Sequence, residues 1–432
     1  MRKRRSQPGA PLVGAVTVPG DKSISHRALI LGALAPGTST IRHVNTGLDV
    51  QATARLLTQL GAPCDVDVAN AQVEVKGSGW AGLGQADDVL WAGNSGTTLR
   101  CLLGVCSGVD GLHVLSGDGS LRSRPMLRVV APLRQMGASI DGRSYGDLAP
   151  LTVRGGSLEG IDLEMDVASA QVKTAVLLAG LNATGVTSVS EPGVSRDHTE
   201  RMLRAAGVEV TSEHGTVTVV GGQKLEAADR IVPGDFSSAA FLVAGALLLE
   251  GSELTIESVG LNLTRTGALD VLARMGAEIV ADVTNEHGGE PLGSLVVKAS
   301  ALTATEVTGE EVPRLIDELP VLAVVATQAQ GVSEFRGAQE LRVKESDRIE
   351  AMVTAINALG GDAEALPDGM VVKGPSDLIG TDVDARGDHR IALALAVAGF
   401  VAQGHVRIHG WSSVETSFPE FLDILAEARS KK

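Results

Sequence analysis

Leu57-Thr58-Gln59-Leu60-Gly61-Ala62 reads as the apolar end of a helix, a glycine at the C′ position and the lead into a strand. The same pattern returns as Leu133-Arg134-Gln135-Met136-Gly137-Ala138, Leu203-Arg204-Ala205-Ala206-Gly207-Val208 and Leu272-Ala273-Arg274-Met275-Gly276-Ala277. It appears more loosely at Ile356-Asn357-Ala358-Leu359-Gly360-Gly361. A second mark, an Ala/Leu-rich helix closed by glycine, recurs at Gly37, Gly111, Gly185, Gly251, Gly331 and Gly404. Both repeat roughly every 70 residues, longer than an ordinary solenoid period, so each repeat is nearly a small domain. Six such units, each reading β-α-β-α-β-β, account for the chain and predict an α/β (α+β) fold with helices covering one face of mixed sheets.

Composition agrees with a folded, multidomain chain. A length of 432 residues exceeds one ordinary core, and 44% hydrophobic with 21% charged residues is a globular balance. Aromatics are only 2%, so the core is aliphatic. The net charge of −15 argues against nucleic acid or an anionic membrane as partner of the whole surface. Anionic ligands would therefore need locally concentrated cations. Cys64, Cys101 and Cys106 show no metal spacing and read as buried free thiols. Arg2 to Arg5 are basic but no apolar run follows, and no stretch is long and apolar enough for a membrane span, so a cytoplasmic location is expected. Residues 1–10 and 430–432 read as loose ends.

The helix starts carry the chemistry. Gly20-Asp21-Lys22-Ser23-Ile24-Ser25-His26-Arg27 follows a strand-like run, Leu12 to Val18, and opens a helix that Asp21 or Ser23 can cap. Lys22, Ser23 and Arg27 then gather where a helix dipole favours phosphate or carboxylate. A capped surface helix with solvated charges fits the same residues. Gly93-Asn94-Ser95-Gly96-Thr97-Thr98 is another such start, without the lysine of a Walker loop. Arg122, Arg124 and Arg128 crowd a Gly-rich loop, which packing does not explain. Ser169-Ala170-Gln171-Val172-Lys173 opens a third helix, its Ser and Gln serving as caps or as donors to a sugar-like ring. His198, at a later helix start, reads as a surface residue. Asp317 either caps the apolar helix that follows or does acid–base work. In Leu341-Arg342-Val343-Lys344-Glu345-Ser346-Asp347-Arg348, Lys344 and Arg348 are expected to share a helix face, with Glu345 against Arg348. Asp388-His389-Arg390 caps the last long apolar helix.

Taken together, the stretches at 20–27, 341–348 and 388–390 resemble, in that order, the motifs of the 3-phosphoshikimate 1-carboxyvinyltransferase (5-enolpyruvylshikimate-3-phosphate synthase) family of enolpyruvyl transferases, and the likeness runs from about Val16 to Phe421. The resemblance implies two globular domains of three βαβαββ units each, residues 1–19 with 233–432 and residues 20–232, hinged near 19–20 and 232–235. It implies transfer of the enolpyruvyl group of phosphoenolpyruvate to the 5-hydroxyl of 3-phosphoshikimate through a tetrahedral intermediate, by a cytoplasmic monomer with no metal and no cofactor. Asp317 would be the base, Glu345 the proton donor and Lys22 its helper. Lys22, Ser23, Arg27, Ser169, Gln171, Arg196, Asp317 and Lys344 would hold 3-phosphoshikimate. Lys22, Asn94, Gly96, Arg124, Gln171, Arg348 and Arg390 would hold phosphoenolpyruvate. Domain closure would then complete the site. Ala170 and Arg196 look like one branch of the family, whereas Thr416 stands where many members have lysine. With no methyl at Gly96 the pocket is expected to admit glyphosate, which in this family takes the phosphoenolpyruvate site.

Two other readings compete. The sister transferase acting on UDP-N-acetylglucosamine usually has a reactive cysteine in the loop that here spans Gly117 to Met126, and this loop has none. A non-catalytic repeat scaffold explains the period but not the cations and carboxylates at the helix starts.

Overall fold

The computed structural model of the chain describes residues 4–6 and 9–430, with side chains from residue 9 to 429. Two compact units divide the described chain. One takes the N-terminal segment through Pro19, then Pro233–Asn285 and the chain from Pro291 on; the other takes Gly20–Val232 with Glu286–Glu290.

The repeat is realised as sheets of one topology. In the second unit, Arg230–Ile231, Gly37–Arg42, Gln72–Gly77 and Cys64–Asp67 lie side by side in that order. Leu90–Trp91, Gly111–Ser116, Leu148–Gly155 and Ser139–Gly142 form the next such sheet. Asp162–Glu164, Val186–Ser190, Thr216–Val220 and Val210–Glu213 form the third. In the first unit the same order joins Val13–Thr17, Glu253–Gly260, Glu290–Lys298 and Glu278–His287, and again Glu306–Val307, Gly331–Phe335, Gly369–Gly374 and Asp362–Leu366. The first pair is parallel in each case, and the second strand runs antiparallel to its other neighbour.

Val13–Thr17 pairs with Glu253–Gly260, and Arg230–Ile231 with Gly37–Arg42, so two sheets take their leading strand from a distant part of the chain. Strands this short carry no local mark of the sheet they join. One correction concerns the ends. Of residues 1–10 and 430–432, Met1, Arg2, Lys3, Gln7, Pro8, Lys431 and Lys432 lie outside the described residues. Arg4–Ser6, however, pairs antiparallel with Val406 to Ile408, and the Gly9 N–H donates to the Phe400 carbonyl at 2.8 Å. Val406–His409 otherwise has a strand only on its Asp382–Asp384 side, and the N-terminal segment pairs the other edge.

The marker glycines Gly61, Gly137, Gly207, Gly276 and Gly360 all have positive φ, from 83° to 105°, as helix exits without a Cβ penalty require. Six helices, apolar on every side beyond their polar starts, are buried. Lys22–Leu34, Gly96–Gly108 and Ala170–Leu181 fill the second unit, each on its own sheet. Phe236–Leu248, Leu319–Ala326 and His389–Val401 do so in the first. Gly104 lets two of them touch, since a Cβ there would sit 2.2 Å from the Ala175 carbonyl oxygen. Cys101 and Cys106 are buried as expected, whereas Cys64 is half-buried; burial pushes the Cys106 thiol up to about 12.

Candidate active site

In the second unit three capped helix starts are tied to one another. Asp21 accepts from Ile24 N–H at 2.9 Å, Ser95 from Thr98 N–H at 3.1 Å and Ser169 from Val172 N–H at 3.5 Å. Each cap of this kind is worth about 1 kcal/mol and leaves the other first-turn N–H groups for a ligand. Arg27 is 4% exposed, which overturns the capped-surface-helix reading. Its guanidinium donates to three neutral acceptors, Thr199 Oγ1 at 2.8 Å, Thr174 Oγ1 at 2.7 Å and the Ser23 carbonyl at 2.9 Å. A buried cation so held is a fixed positive charge at the helix start. Lys22 pairs with Asp49 Oδ2 at 3.1 Å. His26, one residue from Arg27, bonds Thr53 Oγ1 through Nδ1 at 2.7 Å; burial first, then Lys22 and Arg27, hold it well below its ordinary value of 6.5.

Gln171 reaches the second helix start. It donates to Thr97 Oγ1 at 2.9 Å and accepts from Arg100 Nη1 at 2.6 Å. Arg124, 4% exposed, donates to Asn94 Oδ1 at 2.7 Å and to Ser120 Oγ at 3.2 Å, so the Arg-rich loop is anchored to the Asn94 turn through this arginine. Arg122 is exposed and Arg128 half-buried. A Cβ at Gly96 would meet Arg124 Nη1 at 3.2 Å and Arg100 Nη1 at 3.3 Å, tighter than ordinary contact. Ser23 and Arg196 are half-buried. His198 departs from expectation: it is 1% exposed, with Nδ1 2.8 Å from Glu290 Oε1.

In the first unit the charges meet around Arg348. Its Nε lies 2.7 Å from Asp388 Oδ2, Nη1 3.2 Å from Asp317 Oδ1 and Nη2 2.5 Å from Glu345 Oε2. Burial alone would push this guanidinium down, but Asp388, Glu345 and Asp317 more than offset it and raise it, so Arg348 stays a cation. Arg390 donates to Ser237 Oγ at 2.7 Å and to the Asp317 carbonyl at 3.1 Å, and its Nη2 is 3.5 Å from Asp317 Oδ2. Asp317 is not the helix cap, because Glu318 occupies that position before Leu319–Ala326 and ion-pairs with buried Arg265 at 2.9 Å. The carboxylate of Asp317 is thereby held between two arginines.

Lys344 and Arg348 do not share a helix face. Gln339–Val343 is a short 3₁₀ turn, Lys344 is extended, and Asp347 caps the helix Arg348–Ala358 by accepting from Glu350 N–H at 3.1 Å. Asp347 offers the backbone a cap, and the helix starts there instead. Glu345 still reaches Arg348 from outside it. Asp388 caps His389–Val401 through Arg390 N–H at 2.9 Å, as the sequence indicates. Thr416 bonds the Ser413 carbonyl at 2.7 Å, with His389 Nδ1 at 3.4 Å.

Several partners escaped the sequence. Asp49, Thr174, Thr199, Arg265 and Glu318 carry no local signal of their role. Lys173 does, as a charge among Val172, Ala175, Val176 and Ala179. Among the described residues no group of His, Cys, Asp and Glu is arranged for a metal, and no helix is long and apolar enough to cross a membrane.

The family model for EPSP synthase (3-phosphoshikimate 1-carboxyvinyltransferase) matches residues 6–425. A 3-phosphoshikimate 1-carboxyvinyltransferase of Bacillus thuringiensis subsp. konkukian (strain 97-27) is 47% identical over 426 residues, 98% of this chain and 99% of its own. That of Shouchella clausii (strain KSM-K16) is 49% identical over 414 residues, 96% of either chain. The EPSP synthase from Acinetobacter baumannii superposes with a TM-score of 0.88 at 40% identity, covering 99% of this chain and 98% of that one. The enolpyruvyl transferase NikO from Streptomyces tendae, at 19% identity and a TM-score of 0.79 over 98% of this chain and 96% of its own, shares the fold. By sequence over nearly its whole length and by fold, the chain belongs to the EPSP synthase (3-phosphoshikimate 1-carboxyvinyltransferase) family and has the two-domain enolpyruvyl transferase fold.

Proposed function

We infer that this chain transfers the enolpyruvyl group of phosphoenolpyruvate to the 5-hydroxyl of 3-phosphoshikimate and releases phosphate. Family membership supports the reaction. One observation carries the assignment of roles: Arg348 is shared by Asp317 and Glu345, the two carboxylates that the chemistry needs. Asp317 takes the proton of the attacking hydroxyl. Glu345 delivers a proton to the methylene carbon of phosphoenolpyruvate, with Lys22 assisting, and the oxygen of the acceptor bonds to the adjacent carbon. Loss of phosphate from that tetrahedral intermediate, with return of a methyl proton, restores the double bond. Arg348 and Arg390, with Lys22, Asn94, Gly96, Arg124 and Gln171, take phosphoenolpyruvate, where fixed cations stabilise the charge on the departing phosphate. Ser23, Arg27, Ser169, Gln171, Arg196 and Lys344, with Lys22 and Asp317, take 3-phosphoshikimate.

The chain passes between its compact units at Pro19-Gly20 and Val232-Pro233, and again around the short excursion Glu286–Glu290. We propose that the hinges lie near 19–20 and 232–235. A monomer acting in the cytoplasm on small molecules, without nucleic acid, membrane, metal or cofactor, completes the reading; the charge of −15 is in keeping with it. The test is phosphate release from phosphoenolpyruvate with two acceptors in parallel. Release that requires 3-phosphoshikimate supports the reading. Release that requires UDP-N-acetylglucosamine moves the specificity to the sister transferase, and none with either refutes enolpyruvyl transfer.

A further inference from the structure

Lys173 is the lone charge in the helix Ala170–Leu181, and nothing in the reaction above uses it. Its side chain is 3% exposed, with Nζ 2.6 Å from Glu191 Oε2 and 2.8 Å from Glu200 Oε1. Burial alone would push the ammonium down, but Glu200 and Glu191 outweigh it and hold it above its ordinary value. The side chain of Glu191 is likewise buried, 5% exposed, and it gathers more than the lysine. Its Oε1 accepts from the Ser169 N–H at 3.0 Å, and its Oε2 accepts from the Ser195 hydroxyl at 2.7 Å. One carboxylate therefore ties the cap of the third helix to the turn that precedes Arg196. Glu200, the third member, follows Thr199, whose hydroxyl receives Arg27 Nε at 2.8 Å.

The cluster is an odd choice for stability alone. Buried ion pairs lose much of their attraction to desolvation, and well-packed apolar residues of similar volume often do as well or better. What an apolar replacement could not do is fix Ser169 and the Ser195-Arg196 turn at a set spacing. We propose that Glu191, oriented by Lys173, is a positioning residue for the phosphorylated acceptor. It sets Ser169 and Arg196 at the separation that the acceptor's ring and phosphate require. This rests on the reading of 3-phosphoshikimate as acceptor, to which neither Glu191 nor Lys173 is assigned as a binding residue.

The variants are Glu191→Gln, whose amide presents a donor where Lys173 and Ser195 also donate, and Ser195→Ala, which removes one bond and no charge. Initial rates with each substrate varied, and thermal melting, are measured on both and on the wild type. The KM for 3-phosphoshikimate should rise about tenfold in Glu191→Gln and about threefold in Ser195→Ala, with the KM for phosphoenolpyruvate and kcat within about twofold of wild type. A merely structural role would leave that selectivity out. An unchanged acceptor KM in folded variants, or equal losses for both substrates, overturns the proposal. Should Glu191→Gln fail to fold, Ser195→Ala alone decides it. A wild type without release dependent on 3-phosphoshikimate would sink the functional reading and this proposal with it, whereas an active wild type with unaltered variants sinks the proposal alone.

Discussion

His26 shows what burial of a single titratable group does in this protein. Neutral His26 is favoured by its surroundings, so its folded value lies below the unfolded value of 6.5. A depressed histidine gives stability that is fully present above 6.5 and is lost as the pH falls toward the folded value. Urea denaturation of wild type and His26→Gln between pH 7 and pH 5 should show the wild type losing up to about 1.4 kcal/mol per pH unit more than the variant. Parallel slopes would contradict the assignment. The candidate site cations were conspicuous in the sequence because their types are unusual at helix starts: Lys22, Arg27, Arg124, Arg348 and Arg390 stand where a cap suffices. Asp49 and Thr199 were not, since their roles exist only through partners 27 and 172 residues away.

Among elements, the start of His389–Val401 bears the most. Asp388 is fully buried, caps that helix and receives Nε of Arg348. Asp388→Asn turns a donor toward a buried guanidinium and removes one of its three carboxylates. Breaking a buried pair from one side costs about 3–5 kcal/mol, so the urea midpoint should fall accordingly, with an unchanged midpoint as the contrary result. Helix exits were easy to read, because a glycine at positive φ leaves a mark in the sequence. The start at Arg348 was harder. Helical spacing placed Lys344 and Arg348 on one face, but Asp347 takes the cap and leaves Lys344 outside. Local competition between cap and helix decided the boundary, and both options fit the same residues.

At the scale of the whole chain, the period identified the fold class, but pairing between distant strands did not show in it. Arg230–Ile231 completes the sheet that begins at Gly37, so the three four-stranded sheets led by Arg230–Ile231, Leu90–Trp91 and Asp162–Glu164 lie wholly within residues 20–232. A fragment of residues 20–232 is expected to unfold in one cooperative transition, and a fragment of residues 20–228 to melt lower and less cooperatively. Equal melting of the two would deny that strand its place. Val13–Thr17 is the counterpart, a strand that precedes the helix Lys22–Leu34 yet serves the other unit's sheet with Glu253–Gly260. Hydrophobic alternation gives such a strand its faces but not its neighbour.

We propose that Asp317 and Glu345, joined through Arg348, move the protons of enolpyruvyl transfer. The most direct test of this proposal is the rate of 3-phosphoshikimate-dependent phosphate release in Asp317→Ala and Glu345→Gln, each checked for a wild-type fold. Removing a positioned acid or base costs about 10²–10⁴-fold in rate, so each variant should fall in kcat by at least two orders of magnitude. Folded variants whose kcat stays within a few-fold of wild type would contradict it.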